Sequence, residues 1–143
     1  MNKPEVRAQP IVSFGGIASA NSLAKFYAML ANDGAIEDRK FFSANTIDWM
    51  ATTLTDGMDR VFQIPTAFSA GFMKDAKESK RKRFGRSTSM PVRLGPFGQP
   101  GAGGSNAFAD PENKISFAYV MNQTEQSVLP NEKSLRLVDA IYR

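Results

Sequence analysis

The chain contains neither cysteine nor histidine. Without cysteine there is no disulfide framework and no thiolate nucleophile, and without either residue no zinc site of the Cys or Cys/His kind can form. The missing histidine removes the Ser-His-Asp triad and every imidazole-mediated proton transfer. Acid–base chemistry within the chain is left to lysine, tyrosine, aspartate and glutamate, and no metal or other cofactor is expected. Long hydrophobic runs are also missing. No apolar stretch approaches the ~20 residues of a bilayer-crossing helix, so no membrane span is expected. The N-terminus, Met1-Asn2-Lys3-Pro4-Glu5, has no apolar segment behind it. No secretory signal is visible, and the chain as written reads as cytoplasmic, although a lack of cysteine leaves the compartment open.

Neither charge sign dominates. Lys and Arg number 18 against 14 Asp and Glu, a net charge of +4, and four of the cations sit in one run, Lys80-Arg81-Lys82-Arg83. A surface built for nucleic acid spreads its charge along a face, so no nucleic-acid partner is expected. The run reads instead as part of a solvated, polar loop over residues 74–89, with Phe84 its single aromatic. Contact with an anionic surface is the competing reading. With 42% hydrophobic residues the chain is too apolar for disorder, and its length suits a single domain, residues 1–143.

Helical signals are clear in three places. Ser19 is a good N-cap, and Leu23, Phe26, Tyr27 and Leu30 then recur at i, i+3, i+4 and i+7, with Gly34 as the stop. A shorter helix starts at Ser43, with Ile47, Met50 and Leu54 on one face and the lone Trp49 at its core or rim. Pro130-Asn131-Glu132 opens the last helix, whose stripe is Leu135, Val138 and Tyr142, flanked by Leu137 and Ile141. Residues 1–12 read as an extended lead-in and residues 55–65 as turn-rich. Ala67 to Met73 reads as one strand, and Val92 to Leu94 leads into a further one. In Ile115-Ser116-Phe117-Ala118-Tyr119-Val120-Met121-Asn122 bulky residues alternate with small ones, which suits a sheet covered on both faces. Helices, then antiparallel strands, then a covering helix define the α+β class, with packing helices around the sheet.

The unusual feature is the glycine-dense run Gly98 to Gly104. Four glycines within seven residues weaken any strand or helix, so they need a reason. A phosphate cradle does not fit: no Lys-Ser/Thr follows, and the next segment is a strand rather than a helix. Two readings stay open, a hairpin entry with close backbone packing and a strand edge left bare for a ligand.

Phe97-Gly98-Gln99-Pro100-Gly101-Ala102-Gly103-Gly104-Ser105, followed by Phe108-Ala109-Asp110-Pro111-Glu112, resembles the third active-site motif and hairpin of the class C β-lactamase-like family, which includes penicillin-binding-protein-like carboxylesterases. Gly15-Gly16-Ile17-Ala18-Ser19-Ala20, Phe41-Phe42-Ser43-Ala44-Asn45-Thr46-Ile47 and Leu135-Arg136-Leu137-Val138-Asp139-Ala140-Ile141-Tyr142 resemble the family's helix starts and its terminal helix, in the same order. The resemblance implies a serine hydrolase that acylates the serine of a Ser-x-x-Lys motif, assisted by a Tyr-x-Asn motif and by a Lys/His-x-Gly motif on the strand beside the pocket. It places the third motif on Gln99-Pro100-Gly101, makes Ala102 a backbone oxyanion donor, and puts Gln99, Gly101 and Gly103 against the substrate, a small ester or lactam.

Two departures qualify that implication. Gln99 stands where relatives carry Lys or His, and an amide cannot donate charge or shuttle a proton. No Tyr-x-Asn occurs, and the two Ser-x-x-Lys spacings, Ser22 to Lys25 and Ser79 to Lys82, lie in a packed helix and in the basic loop. The chain is therefore expected to be the C-terminal part of an incomplete β-lactamase/transpeptidase-like fold, with the nucleophile-bearing part absent, inactive alone and prone to self-association. The alternative is a non-catalytic binding or assembly module that kept the scaffold.

Overall fold

The computed structural model describes residues 3–9, 11, 15–85 and 94–143. In chain order the elements are α1 (Pro4–Arg7), α2 (Ala20–Ala31), β1 (Ala35–Ile36), β2 (Arg39–Lys40), α3 (Ala44–Ala51), β3 (Thr55–Met58), β4 (Pro65–Phe68), β5 (Met73–Lys74), β6 (Phe97–Pro100), β7 (Asn106–Asp110), β8 (Ile115–Tyr119) and α4 (Glu132–Ile141). The three longer helices start where a short polar side chain accepts from an orphaned first-turn N–H: Ser19 Oγ from Ser22, Ser43 Oγ from Thr46, and Asn131 Oδ1 from Ser134, at 3.1, 3.1 and 3.0 Å. Each such cap contributes about 1 kcal/mol. α2 ends as the sequence indicates, with the Gly34 N–H closing onto the Met29 carbonyl at 2.9 Å.

β3 to β8 form one six-stranded antiparallel sheet in which sequence neighbours are spatial neighbours. The period-2 alternation of β7 divides the core. Ala107 and Ala109 face α2 and α3, packing with Tyr27, Leu30, Ile47 and Phe97. Phe108 faces α4 and packs with Phe84, Met73 and Val138. β8 repeats the division, with Ala118 on the first side and Ile115 and Phe117 on the second. Small residues thus let α2 lie close to one face, and an aromatic cluster fills the space under α4. Fully burying a phenylalanine such as Phe84 or Phe108 contributes about 1.5–3 kcal/mol.

Several expectations need correction. The lead-in carries the short helix α1. Residues 55–65, read as turns, hold β3 and the start of β4, joined by a loop that Asp59 organises by accepting from the Val61 and Phe62 N–H groups and the Thr66 hydroxyl. The strand expected over residues 67–73 is two strands separated by a reversal in which the Ser69 N–H donates to the Phe72 carbonyl at 2.9 Å. Trp49 is 61% exposed, outside the core, and Leu54 is exposed as well.

The loop after β5 is not solvated throughout. Lys74, Ala76 and Phe84 are buried, and the Asp75 carboxylate accepts from the Arg83 and Phe84 N–H groups, which seats Phe84 in the core. Burial outweighs those bonds and raises the Asp75 carboxyl above its ordinary value. Arg81 is turned onto Glu132 and Asp139 of α4 at 2.6 and 2.9 Å, and Lys82 donates to the Ala76 carbonyl at 3.3 Å. These cations face the protein's own acceptors, which explains why a charge run here need not mark an anion surface. Of the strand expected at Val92 to Leu94, residues 92 and 93 lie outside the described residues, and Leu94 is buried just ahead of β6.

α4 is pinned to β7 by a buried polar contact. The Tyr142 hydroxyl donates to Asp110 Oδ2 at 2.6 Å, and Asn113 Nδ2 donates to the same oxygen at 2.7 Å. Burial first, then the Asp110 carboxylate, pushes the Tyr142 phenol above its ordinary value. Asp110 is fully buried, so removing one donor leaves an under-solvated carboxylate. Tyr142→Phe is expected to cost about 2 kcal/mol, read as a lower urea midpoint at unchanged m-value.

Candidate active site

The site is the end of β6 and the turn that follows it. β6 pairs with β7 along its length, Phe97 opposite Ala109 and Pro100 opposite Asn106. On its other side the two-residue β5 reaches only Met73, opposite Gly98. Beyond that point the outer edge of β6 has no strand partner among the described residues. Backbone groups of successive residues point to opposite sides of a strand. Pro100 has no N–H to offer, and the Gly101 N–H is taken by the Ser105 carbonyl at 2.9 Å. The Gly103 N–H donates to the Ser127 carbonyl at 2.6 Å and the Gly104 N–H to the Gly101 carbonyl at 3.2 Å. Ala102 is exposed, and its N–H has no backbone acceptor among the described residues.

The glycines next to Ala102 are there for the turn. Gly103 and Gly104 have φ of +93° and +114°, conformations that side chains other than glycine rarely adopt. A Cβ at Gly104 would fall onto the Asn131 side chain, and one at Gly103 onto Thr124. The reading as close backbone packing accounts for these two glycines. Ala102 itself lies not on the strand but in the turn beyond Pro100, the last residue of β6.

A segment that the sequence did not single out completes the surroundings. Residues 124–129 fold beside the turn, joined to it by the Gly103–Ser127 bond and by the Glu125 N–H donating to the Gly103 carbonyl at 2.9 Å. Together with Ala102 and Gly103 they line an open cavity of about 680 Å³. No periodicity marks this stretch, so only the long-range pairing shows its role. Of the candidate residues, Ala102 and Gly103 line that cavity. Gln99 is exposed on β6, its amide directed to the Pro100 carbonyl at 3.4 Å, and Gly101 closes the hairpin. Beneath β6, burial pushes the Tyr27 phenol up to about 12 against the opposing effect of the Gln99 N–H, so it stays neutral and has the character of core.

The two Ser-x-x-Lys spacings are placed unlike a nucleophile and its base. The Ser22 hydroxyl shares a 2.9 Å hydrogen bond with Ser19 at the start of α2. Ser79 lies in the irregular loop after β5, and Lys82 is directed to a carbonyl.

The buried lysine is a different one. Lys74 Nζ donates to the Ala51 carbonyl at 2.6 Å and the Leu94 carbonyl at 2.5 Å, tying the end of α3 and the entry to β6 onto β5. Burial lowers its pKa to about 8, partly opposed by Glu112 and Asp75. The folded state therefore holds this proton less tightly than the unfolded chain. The resulting destabilisation is full below pH 8 and disappears as pH rises towards the unfolded value of about 10.5. The stability of the natural chain relative to Lys74→Met is expected to climb between pH 8 and 10.5. Thermal unfolding at stepped pH checks this, and a flat difference would contradict it.

Comparison with known proteins agrees with this architecture of packing helices and an antiparallel sheet. Residues 2–140 match the Beta-lactamase family, and the chain belongs to it. It is 28% identical over 116 residues to the esterase/beta-lactamase LipL of Mycobacterium tuberculosis, covering 79% of this chain and 24% of that protein. Among solved structures it resembles EstA of Arthrobacter nitroguajacolicus Rue61a, with TM-score 0.75 and 31% identity over 98% of this chain and 35% of that one. A penicillin-binding protein homologue from Caulobacter crescentus gives 0.73 and 31%, over 87% of this chain and 31% of that one. A family VIII carboxylesterase gives 0.68 and 28%, over 82% and 29%. The chain thus spans about a quarter to a third of the length of these relatives.

Proposed function

We propose that this chain forms the oxyanion strand and one pocket wall of a β-lactamase-family serine hydrolase that cleaves a small ester, or an amide such as a β-lactam, through an acyl-serine. The observation that carries this reading is Ala102, an exposed residue of the turn that follows β6, whose N–H has no backbone acceptor among the described residues. A backbone donor held by a fixed turn stabilises negative charge that develops on the acyl oxygen in the transition state, typically by about 3–4 kcal/mol. Gln99, exposed on β6, would hydrogen-bond a substrate carbonyl or carboxylate without moving a proton. The acylated serine and its lysine come from polypeptide beyond these 143 residues. The name of the family VIII carboxylesterase supports the ester side of the reading, and that of the esterase/beta-lactamase LipL supports both.

A second reading, a non-catalytic module on the same scaffold, is favoured by Gln99 in place of a basic residue. One experiment separates the two. The chain alone, and the chain completed by the nucleophile-bearing part of a solved relative, are assayed on a short-chain aryl ester and a chromogenic cephalosporin. Background rates for the chain alone and turnover for the completed form are expected. A completed form that folds, as shown by a cooperative thermal transition, and still turns over neither substrate would favour the module.

A further inference from the structure

We propose that Ser127 is a positioning residue for acyl transfer, an assignment that rests on the reading of Ala102 as the oxyanion donor: its hydroxyl anchors the 124–129 segment, and that segment holds the Ala102 N–H in its direction. The turn cannot hold that direction unaided. Gly103 and Gly104 follow the donor directly, at φ of +93° and +114°, and glycine leaves such a conformation as readily as it adopts it. Whatever fixes the donor must therefore grip the peptide units themselves.

The contacts with residues 124–129 do so through three successive units. A peptide unit is planar and its C=O and N–H point opposite ways, so holding one end aims the other. The Glu125 N–H donates to the Gly103 carbonyl at 2.9 Å. That carbonyl shares its unit with the Gly104 N–H, which donates to the Gly101 carbonyl at 3.2 Å. The Gly101 carbonyl in turn shares its unit with the Ala102 N–H. The unit between these two is gripped separately, by the Gly103 N–H donating to the Ser127 carbonyl at 2.6 Å.

The segment needs an anchor of its own, because it contains no helix or strand and such stretches open easily. The Ser127 side chain supplies one. Its hydroxyl donates to the Leu129 carbonyl at 2.9 Å and accepts from the Leu129 N–H at 3.1 Å, closing a short turn. Leu129 packs on the cluster of Met73, Phe84, Phe108 and Val138 under α4. The hydroxyl thereby ties the carbonyl that grips Gly103 to the core two residues away. The Glu125–Lys133 ion pair is a weaker tie, since both side chains are exposed and such pairs contribute little.

The test joins kinetics of the catalytically complete form to amide hydrogen exchange of the 143-residue chain. Ser127→Ala is expected to lower kcat about tenfold with KM within a few-fold. Combined with Ala102→Pro, it should cost no further kcat, because no donor is left to aim. In the chain, Ser127→Ala is expected to speed exchange of the Gly103 and Gly104 amides about tenfold while residues 107–109 of β7 stay protected. Four results would each overturn the proposal and leave the role of Ala102 standing: unchanged Gly103 exchange, loss of β7 protection along with it, full kcat in Ser127→Ala beside an impaired Ala102→Pro, or an equal Ser127→Ala loss in the Ala102→Pro background. An unimpaired Ala102→Pro would remove the donor reading and, with it, the positioning role.

Discussion

Gly104→Val is expected to lower stability by about 3 kcal/mol or more, enough to unfold a marginal domain at 37 °C. The loss has two sources. With φ at +114°, a β-branched residue is forced into a strained backbone conformation, which costs about 1–3 kcal/mol. The new side chain also begins on top of Asn131. Asn131 is buried and cannot swing away, and its Oδ1 caps α4 through the Ser134 N–H. Displacing it removes a cap worth about 1 kcal/mol and loosens the helix that covers Phe108. The matched control is Gly16→Ala, where a Cβ meets nothing within 4 Å and the change should stay within about 0.5 kcal/mol. Urea titrations of both variants decide the matter; a Gly104→Val midpoint indistinguishable from that of Gly16→Ala would show that the turn adapts.

The same residue pair illustrates what a sequence can and cannot disclose here. Ser19, Ser43 and Asn131 mark helix starts because a cap acts within four residues. The β7–β8 hairpin is legible because bulky and small residues alternate along it. β3 is not, since Thr55-Asp56-Gly57-Met58 carries no alternation and is exposed throughout. The loop after β5 misleads because four consecutive cations outweigh one phenylalanine in any local count, whereas Asp75 draws Phe84 into the core from nine residues away. For the site, the glycine density points to residues 98–104, but not to which of them does what. That division depends on Asn131 lying against Gly104 and Ser127 bonding Gly103, contacts across more than twenty positions that have no local signature.

Ala102→Pro in a catalytically complete form is expected to lower kcat by about 10²- to 10³-fold while leaving KM within a few-fold. Proline deletes the N–H, and because Ala102 is exposed its ring has room. The split between the two constants carries the argument. Charge on the acyl oxygen appears in the transition state, so a donor aimed at it strengthens little in the bound substrate and much at the barrier. Ala102→Gly keeps the N–H and should retain activity within a few-fold, which separates the donor from the methyl group. A structural cause is excluded by parallel melting curves of the variants in the chain alone: the neighbouring Gly101–Ser105 and Gly103–Ser127 bonds do not involve the deleted hydrogen. If Ala102→Pro folds normally and loses less than about tenfold in kcat, negative charge on the substrate is stabilised elsewhere, and β6 contributes only a wall.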